Sequence, residues 1–363
     1  MKFIIAIFMA VGLWSCATGS GEETAKKAAA ETEFAVHFLK TSFSEAQQQA
    51  QTTGKPMLVD VYAVWCGPCK KLDKMVFSDA EAGDYLNNNF VCLKVDGEKG
   101  EGPGMMEKFG IHGYPTVLVL DAQGNEIDRV VGFGGDKDDF IQTVKDYAAG
   151  KNTLSSLIKQ ANENPGDVEL NATVARKLLM RSDTEKALAF YQKVVASDPD
   201  DQNGFTEDAR FQIAAAKLTL NNDDRDIRAF ISGKPSNRYL QSAYSRMIRF
   251  YETNENLEKA LATYQELVDE FPQNATLLNN FAWYIYDKKA EDHFNQAIAI
   301  AQKAVGLEPQ ADYIWDTLAR LQFANGNIDD AVESMQKAAE LNPEEATYQK
   351  LLEEYRAQLK AKA

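Results

Sequence analysis

The chain has 363 residues, of which 45% are hydrophobic and 26% are charged, and its formal net charge is −15. This length accommodates two or three domains with cores of their own, and this composition excludes wholesale disorder. The acidic balance argues against nucleic acid as a partner, because phosphate binding depends on clusters of lysine and arginine that this sequence lacks.

The first sixteen residues, MKFIIAIFMAVGLWSC, are predicted to be a targeting segment. Lys2 precedes an apolar run of about twelve residues, which is shorter than the roughly 20 that span a bilayer and is typical of a secretory signal peptide. The ending Leu-Trp-Ser-Cys resembles a bacterial lipobox, which implies that Cys16 is acylated and becomes the new N-terminus. An ordinary signal peptide that is cut slightly later is the alternative. Export is expected in both cases.

Residues 17–33 are small and polar and show no apolar period, so they are predicted to form a flexible tether. About 17 such residues give an end-to-end distance of roughly 20–25 Å. The expected location is therefore the periplasmic face of a bacterial membrane, with a lipid anchor at Cys16. Ala17 resembles the residue that sorts lipoproteins of enteric bacteria to the outer membrane.

Residues 34–150 have the pattern of an α/β domain. In chain order, the pattern predicts a helix at 43–53, an apolar strand at 57–64, a helix from 67, a strand at 90–96, a short helix near 104–109, strands at 116–121 and 126–131, and a helix near 137–148. The domain is expected to end near residues 148–153, where Gly150 can end one helix and Thr153 can begin the next.

Cys66 and Cys69 form the only CxxC motif, and they follow directly on the strand at 57–64. A structural zinc site takes four ligands, usually from two such pairs, and only one pair is present here. If Cys16 is acylated, three cysteines remain, and this odd number argues against a disulfide framework. A helix that begins at Cys66 directs its free N–H groups at that sulfur and favours the thiolate. Cys66 is therefore predicted to be the exposed attacking thiolate and Cys69 the buried resolving thiol.

Asp60 is the single charged residue in the predicted strand MLVDVYAV, where an unpaired carboxylate is costly to bury. Its position six residues before Cys66 allows it to accept the proton of Cys69 as that thiol attacks. An edge or turn position is the alternative interpretation of this residue.

The motif WCGPCK at 65–70, together with Asp60 and GYPT at 113–116, resembles the thioredoxin superfamily over residues 34–150. The resemblance implies a thioredoxin fold, a cis peptide bond before Pro115, and a substrate chain that pairs with the backbone at Tyr114. It also implies a redox-active disulfide as the active group, without a bound cofactor or metal. The residues expected to line the substrate groove are Trp65, Gly67, Pro68, Tyr114 and Phe133.

Two further expectations come from the same resemblance. Cys92, counted back from Asp96, occupies the place where small thioredoxins carry a lysine near the buried acid, and it is itself expected to be a small buried residue. Gly67 and Pro68 resemble the dipeptide of reducing thioredoxins. We therefore expect a reductase that a membrane electron donor recharges.

Residues 151–363 are predicted to form an all-α solenoid, because their six prolines recur every 34 to 37 residues. The segment 313–345 resembles a tetratricopeptide repeat, and 168–201, 240–274 and 277–311 are looser copies. The segment 204–236 keeps the period with an irregular second helix, and 344–361 is predicted to be a capping helix. The resemblance implies a protein or peptide partner on the concave face, and a passive spacer is the alternative.

The sequence therefore indicates an exported, membrane-tethered thiol:disulfide oxidoreductase that acts on protein disulfides, with repeats that dock partners or clients. The alternative is a scaffold whose repeats do the work while the thioredoxin-type module supplies only an interface.

Overall fold

The computed structural model describes residues 34–362 and divides the chain into two compact units between Thr153 and Leu154. The predicted signal peptide, Cys16 and the tether lie outside the described residues. Within the described part, no helix combines the length and the apolar character that crossing a membrane requires.

The first unit alternates helices and strands. Its helices are α1 (Phe43–Thr53), α2 (Gly67–Leu72), α3 (Ala80–Asn89), α4 (Gly102–Phe109) and α5 (Lys137–Ala148), and its strands are β1 (Met57–Tyr62), β2 (Val91–Asp96), β3 (Thr116–Leu120) and β4 (Glu126–Val131). A π-helical turn, Asp73–Phe77, continues α2.

Two elements of the first unit differ from the sequence prediction. Helix α3 was not predicted, because it buries only three small or aliphatic side chains and lacks a clear apolar stripe; Asp79 caps its N-terminus by accepting from Ala82 N at 2.9 Å. Strand β1 ends at Tyr62 instead of residue 64, and the side chain of Val64 is 53% exposed. The chain leaves the sheet here because the turn that follows delivers the cysteine pair to α2.

The strand order is β2-β1-β3-β4, with β2 parallel to β1 and with β3 and β4 antiparallel to their neighbours. Because side chains alternate along a strand, β1 has two buried faces. Leu58 packs with α2, α3 and α5, whereas Met57 and Val59 pack with α1 and α4. A sheet between two helical layers confirms the predicted α/β fold, and it places the even-numbered residues of β1 beneath α2.

The second unit contains only helices among its described residues. They are α6 (Leu154–Glu163), α7 (Val168–Leu179), α8 (Thr184–Ser197), α9 (Thr206–Leu220), α10 (Arg225–Ser232), α11 (Asn237–Thr253), α12 (Leu257–Glu270), α13 (Ala275–Asp287), α14 (Phe294–Leu307), α15 (Asp312–Ala324), α16 (Ile328–Leu341) and α17 (Ala346–Lys362), with a short 3₁₀ turn at Glu291–His293.

From α7 onward these helices form successive pairs that follow the proline period, so the predicted all-α solenoid is confirmed. The alanines twelve residues before the prolines are fully buried where the helices approach; they are Ala187, Ala260, Ala297 and Ala331. Helix α10 has only 8 residues, which agrees with the irregular second helix expected in 204–236. Helix α17 occupies the segment predicted to cap the array.

Candidate redox site

Cys66 and Cys69 are joined by a disulfide at the start of α2, with a Cα–Cα distance of 5.3 Å. Cys66 is the N-cap residue of α2, and its sulfur accepts a hydrogen bond from Cys69 N at 3.1 Å. Pro68 occupies the first turn, where its missing N–H costs no helical hydrogen bond. The helix N-terminus therefore presents an N–H group and its positive dipole end to the Cys66 sulfur, which stabilises a thiolate once the disulfide is reduced.

The exposure of the cysteines differs from the sequence prediction. Cys66 was expected to be exposed, but it is 3% exposed and Cys69 is 2% exposed. In this oxidised form the two cysteines form a buried cluster with Ala63, and the partly buried Tyr62 and Tyr114 pack against this cluster.

Asp60 lies in the middle of β1, fully buried, on the face of the sheet that α2 covers. Its Oδ2 accepts a hydrogen bond from Lys94 Nζ, which also donates to Asp73 Oδ1 at 2.7 Å. Asp60 Oδ1 has no hydrogen-bond partner. Burial raises the pKa of Asp60, and the nearby ammonium of Lys94 only partly opposes that rise.

Lys94 is itself mostly buried, with its side chain 12% exposed. Burial disfavours its charged form, but the carboxylates of Asp60 and Asp73 more than offset this effect, so the pKa of Lys94 is raised. Its ammonium also lies 4.4 Å from the centre of the Tyr62 ring. Asp60 is therefore a buried carboxyl group paired with a lysine whose protonated form is favoured, on the sheet face that α2 covers.

The assignment of the lysine position to Cys92 is wrong. In the parallel register Cys92 lies opposite Leu58, whereas Lys94 lies opposite Asp60. Cys92 is a buried free thiol, and burial raises its pKa to about 12. The sequence contained Lys94 within the predicted strand, but only the pairing of β1 with β2 shows which residue of that strand lies beside the acid.

The predicted groove residues Trp65 and Tyr114 lie together beside the cysteine pair. The peptide bond between Tyr114 and Pro115 is cis. The Tyr114 ring meets Trp65 edge to face at 5.9 Å, and Trp65, which is 65% exposed, donates from Nε1 to Glu98 Oε1 at 2.9 Å. The Tyr114 hydroxyl contacts Met106 Sδ at 2.8 Å. Glu98 and Met106 were not predicted to belong to the site, although both come from the long segment 96–110.

The remaining predicted groove residues occupy different surroundings. Gly67 and Pro68 are exposed in the first turn of α2, and a Cβ added at Gly67 would meet nothing within 4 Å. Phe133 packs edge to face on Phe140 and joins the apolar cluster of α2, α3 and α5. Its backbone neighbour Gly132 donates to Pro115 O at 2.8 Å, so the 132–135 loop borders the Pro115 strand while the Phe133 ring serves packing.

This arrangement can carry two electrons as a dithiol that closes to a disulfide. Among residues 34–362 no group of three or more histidine, cysteine, aspartate or glutamate side chains is placed to hold a metal ion. The chemistry that the site supports is thiol–disulfide exchange, with the helix N-terminus stabilising a thiolate and a buried carboxyl group able to exchange a proton.

The fold and this site define a thioredoxin-type redox unit followed by a helical-repeat unit. A family model described as thioredoxin-like matches residues 39–122, and two tetratricopeptide-repeat models match residues 242–274 and 289–355. The first unit therefore contains a thioredoxin-like domain, and the second carries tetratricopeptide repeats.

Curated relatives match the first unit. The thiol:disulfide interchange protein DsbD of Yersinia pestis (strain Pestoides F) is 39% identical over 103 residues, which are 28% of this chain and 17% of that protein. DsbD of Ralstonia nicotianae is 36% identical over 92 residues, which are 24% of this chain and 15% of that protein. The chain thus spans about a sixth of the length of these relatives.

Among solved structures, the solution structure of a "putative disulphide-isomerase" from Bacteroides thetaiotaomicron is 41% identical to this chain. The match covers 31% of this chain and 93% of that one, with a TM-score of 0.29.

Proposed function

We propose that the protein is a thiol:disulfide oxidoreductase that reduces protein disulfides in the bacterial cell envelope, with repeats that dock its partners or clients. The observation that carries the proposal is the Cys66–Cys69 disulfide at the N-terminus of α2, on the sheet face where Asp60 is buried. No bound cofactor enters the proposal, because the dithiol itself carries both electrons.

The proposed reaction has two exchange steps. The Cys66 thiolate attacks one sulfur of a client disulfide, which forms a mixed disulfide and releases the other client sulfur as a thiolate that takes a proton from solvent. Cys69 then attacks the Cys66 sulfur as its proton passes to the Asp60 carboxylate, and the Cys66–Cys69 disulfide closes. The client leaves as its second thiolate, which takes a proton from solvent, and Asp60 later releases its own proton to solvent. The client gains two electrons and two protons, and the enzyme dithiol loses two electrons.

Three groups have supporting roles in this proposal. Lys94 keeps the ionised form of Asp60 accessible despite its burial, so that the carboxylate can accept a proton and later return it. The backbone next to the cis bond at Tyr114–Pro115 receives the client chain as a short added strand. The exposed ring of Trp65 contributes apolar contact beside the entry to Cys66.

The reductive direction rests on the Gly67-Pro68 dipeptide and needs an electron donor, for which we propose a membrane protein. A redox titration of the full chain against glutathione is expected to give a potential near roughly −270 mV. A potential above about −180 mV would assign the protein to the oxidases or isomerases instead.

Catalysis of insulin disulfide reduction by dithiothreitol tests the enzyme itself. We expect precipitation of insulin to accelerate with the wild-type chain and to return to the uncatalysed rate with Cys66→Ser. A wild-type rate equal to the uncatalysed one would favour the scaffold alternative. Cys69→Ser supplies the second readout, because it leaves the mixed disulfide without an internal exit, so clients should accumulate covalently on Cys66.

The proposed location is the periplasmic face of a membrane, through a lipid anchor at Cys16, and the lipobox-like sequence supports it. Labelled palmitate should enter the wild-type chain and fail to enter Cys16→Ser in cells. Label in both forms would remove the lipid anchor and leave only export through an ordinary signal peptide.

A further inference from the structure

The repeat unit is acidic overall, yet one of its helices presents a basic stripe. Residues 151–363 carry 25 lysines and arginines against 33 aspartates and glutamates. Helix α11 runs against this balance, because Arg238, Arg246 and Arg249 are opposed within the helix by Glu252 alone. A local reversal of charge on an acidic surface marks a place where an anion is favoured.

The three arginines lie on one side of α11. Positions 238, 241, 242, 245, 246 and 249 recur at the three- and four-residue intervals that share a helix face. All three arginines are exposed. Among the ion pairs of residues 34–362, none joins a carboxylate to Arg238, Arg246 or Arg249. Their five-donor guanidinium groups are therefore available to an outside ligand.

The stripe forms one wall of a groove between α11, α12 and α13, with a volume of about 770 Å³. Besides the arginines, its lining includes apolar side chains, Ile248 and Leu267, which are buried, and Tyr264 and Leu277, which are partly buried. The carboxylate of Glu252 also reaches this lining, but Lys288 Nζ lies 3.6 Å from it. We name this feature the α11 groove.

We propose that the α11 groove binds an extended acidic segment of a partner protein, with its carboxylates on the three arginines and an apolar side chain against Leu267 and Leu277. Arginine is suited to this task, because its planar fork binds a carboxylate with two parallel hydrogen bonds. The proposal rests on the proposed role of the repeats in docking partners, and it supplies the chemistry of what they dock.

The spacing of the arginines sets the length of the segment. Arg238 and Arg249 are eleven positions apart, which is about 16 Å along a helix, and an extended chain covers that distance in about five residues. Arg238 and Arg246 are about 12 Å apart by the same rise. Two acidic residues about four positions apart in an extended peptide therefore match Arg238 and Arg246, and two that are about five positions apart match Arg238 and Arg249, the ends of the stripe.

Charge and shape favour a peptide over a polyanion. A nucleic acid gains affinity by neutralising many phosphates, whereas this groove offers three cations inside a unit that has an excess of acidic residues. An anionic membrane is a broad surface, whereas these arginines line a groove whose walls also include apolar side chains. A short chain with alternating acidic and apolar residues satisfies both features.

A peptide array tests the proposal with the full chain as the probe. Each peptide carries two glutamates that are two to seven positions apart, with a leucine between them. Each is paired with a control peptide in which both glutamates are replaced by glutamine. We expect binding to the acidic member of each pair, strongest when the two glutamates are four or five positions apart, and about tenfold weaker when ionic strength rises from low to near-physiological values. Equal binding to acidic and amide peptides would overturn the proposal.

Arg246→Glu/Arg249→Glu should weaken binding of the best acidic peptide by about a hundredfold, since each lost bidentate contact is worth about tenfold. The matched control is Lys303→Glu/Lys350→Glu, which changes the net charge equally at two exposed residues outside the groove. It should stay within about twofold. Equal losses of affinity in both variants would show that only the net charge of the protein matters, and they would refute the proposed site.

Three further measurements distinguish an acidic peptide from other possible occupants of the α11 groove. Phosphatidylglycerol vesicles and a single-stranded oligonucleotide should bind less tightly than the best peptide, and tighter binding of either would replace the proposal with that partner. Self-association in sedimentation that disappears in the groove variant would make the occupant a second copy of this chain. Insulin reduction should be unchanged in the groove variant. If the wild-type chain fails to catalyse insulin reduction, the proposed enzyme activity is refuted, whereas the test of peptide binding is unaffected.

Discussion

Replacing Asp60 by asparagine should make the first unit more stable and its second exchange step slower. Asp60 is fully buried, burial raises its pKa, and its Oδ1 has no hydrogen-bond partner. An asparagine at this position would keep the volume and could still accept from Lys94, while Lys94 would retain Asp73 at 2.7 Å. The substitution therefore removes a buried charge without leaving the ammonium of Lys94 alone.

The expected gain follows from these contacts. A buried carboxylate costs several kcal/mol to desolvate, and Lys94 recovers only part of this cost, as the raised pKa of Asp60 shows. An unsatisfied buried polar atom costs about 1–3 kcal/mol. Because the asparagine amide will itself be imperfectly paired, we expect the free energy of unfolding to rise by about 1–3 kcal/mol at pH 7.

The gain should depend on pH in a stated direction. A raised pKa means that folded Asp60 still holds its proton where the unfolded chain has released it, so wild-type stability falls as the pH rises from about 4. Below that pH the carboxyl group is neutral in both states. Urea unfolding of both forms should therefore coincide near pH 3 and diverge in favour of Asp60→Asn toward pH 7.

The kinetic effect is measured in a single turnover. A mixed disulfide of glutathione with Cys66 is formed, and its resolution by Cys69 is followed by acid quench and mass spectrometry. We expect Asp60→Asn to slow resolution about tenfold to a hundredfold at pH 7, because a positioned base contributes about that much or more. The difference should shrink as the pH rises further, because hydroxide increasingly removes the proton of a thiol without a positioned base.

Asp128→Asn is the matched control, because Asp128 is also fully buried, in β4 of the same unit. It should leave the resolution rate within about twofold of the wild type. A less stable Asp60→Asn would refute the account of the buried charge. A stabilised variant that resolves at the normal rate would make Asp60 a structural residue.

Three further predictions concern the same unit. Lys94→Met should lower the free energy of unfolding, measured in urea, by about 3–5 kcal/mol, because it leaves a buried carboxylate without its cation. Adding Asp60→Asn should recover most of that loss, and no recovery would refute the pairing of Asp60 with Lys94. Cys92, whose pKa burial raises to about 12, should stay unmodified when iodoacetamide alkylates the reduced native chain, and labelling before unfolding would contradict its burial. Gly102→Ala should lower the free energy of unfolding by about 1–3 kcal/mol, because the added Cβ would lie 1.9 Å from a backbone oxygen. Gly104→Ala in the same helix should be neutral or stabilising, because its Cβ would meet nothing within 4 Å. Equal effects of the two substitutions would contradict the close packing at Gly102.

The sequence by itself determined the features that depend on neighbours along the chain. The apolar strand, the CxxC motif with Pro68, and the helix N-terminus at Cys66 all lie within one short segment, so local hydrogen bonding and turn chemistry are enough to predict them. The proline period likewise predicted the solenoid, because each repeat solves the same local packing problem.

The tertiary structure decided which distant residues meet. Lys94 could not be distinguished from Cys92 as the partner of Asp60, because that choice depends on the register of β1 against β2. The packing of Tyr114 against the cluster that contains Cys66 depends on a segment that lies some fifty residues later in the chain. The α11 groove likewise exists only once α11, α12 and α13 pack together, since its arginines are separated in sequence from the leucines that complete it.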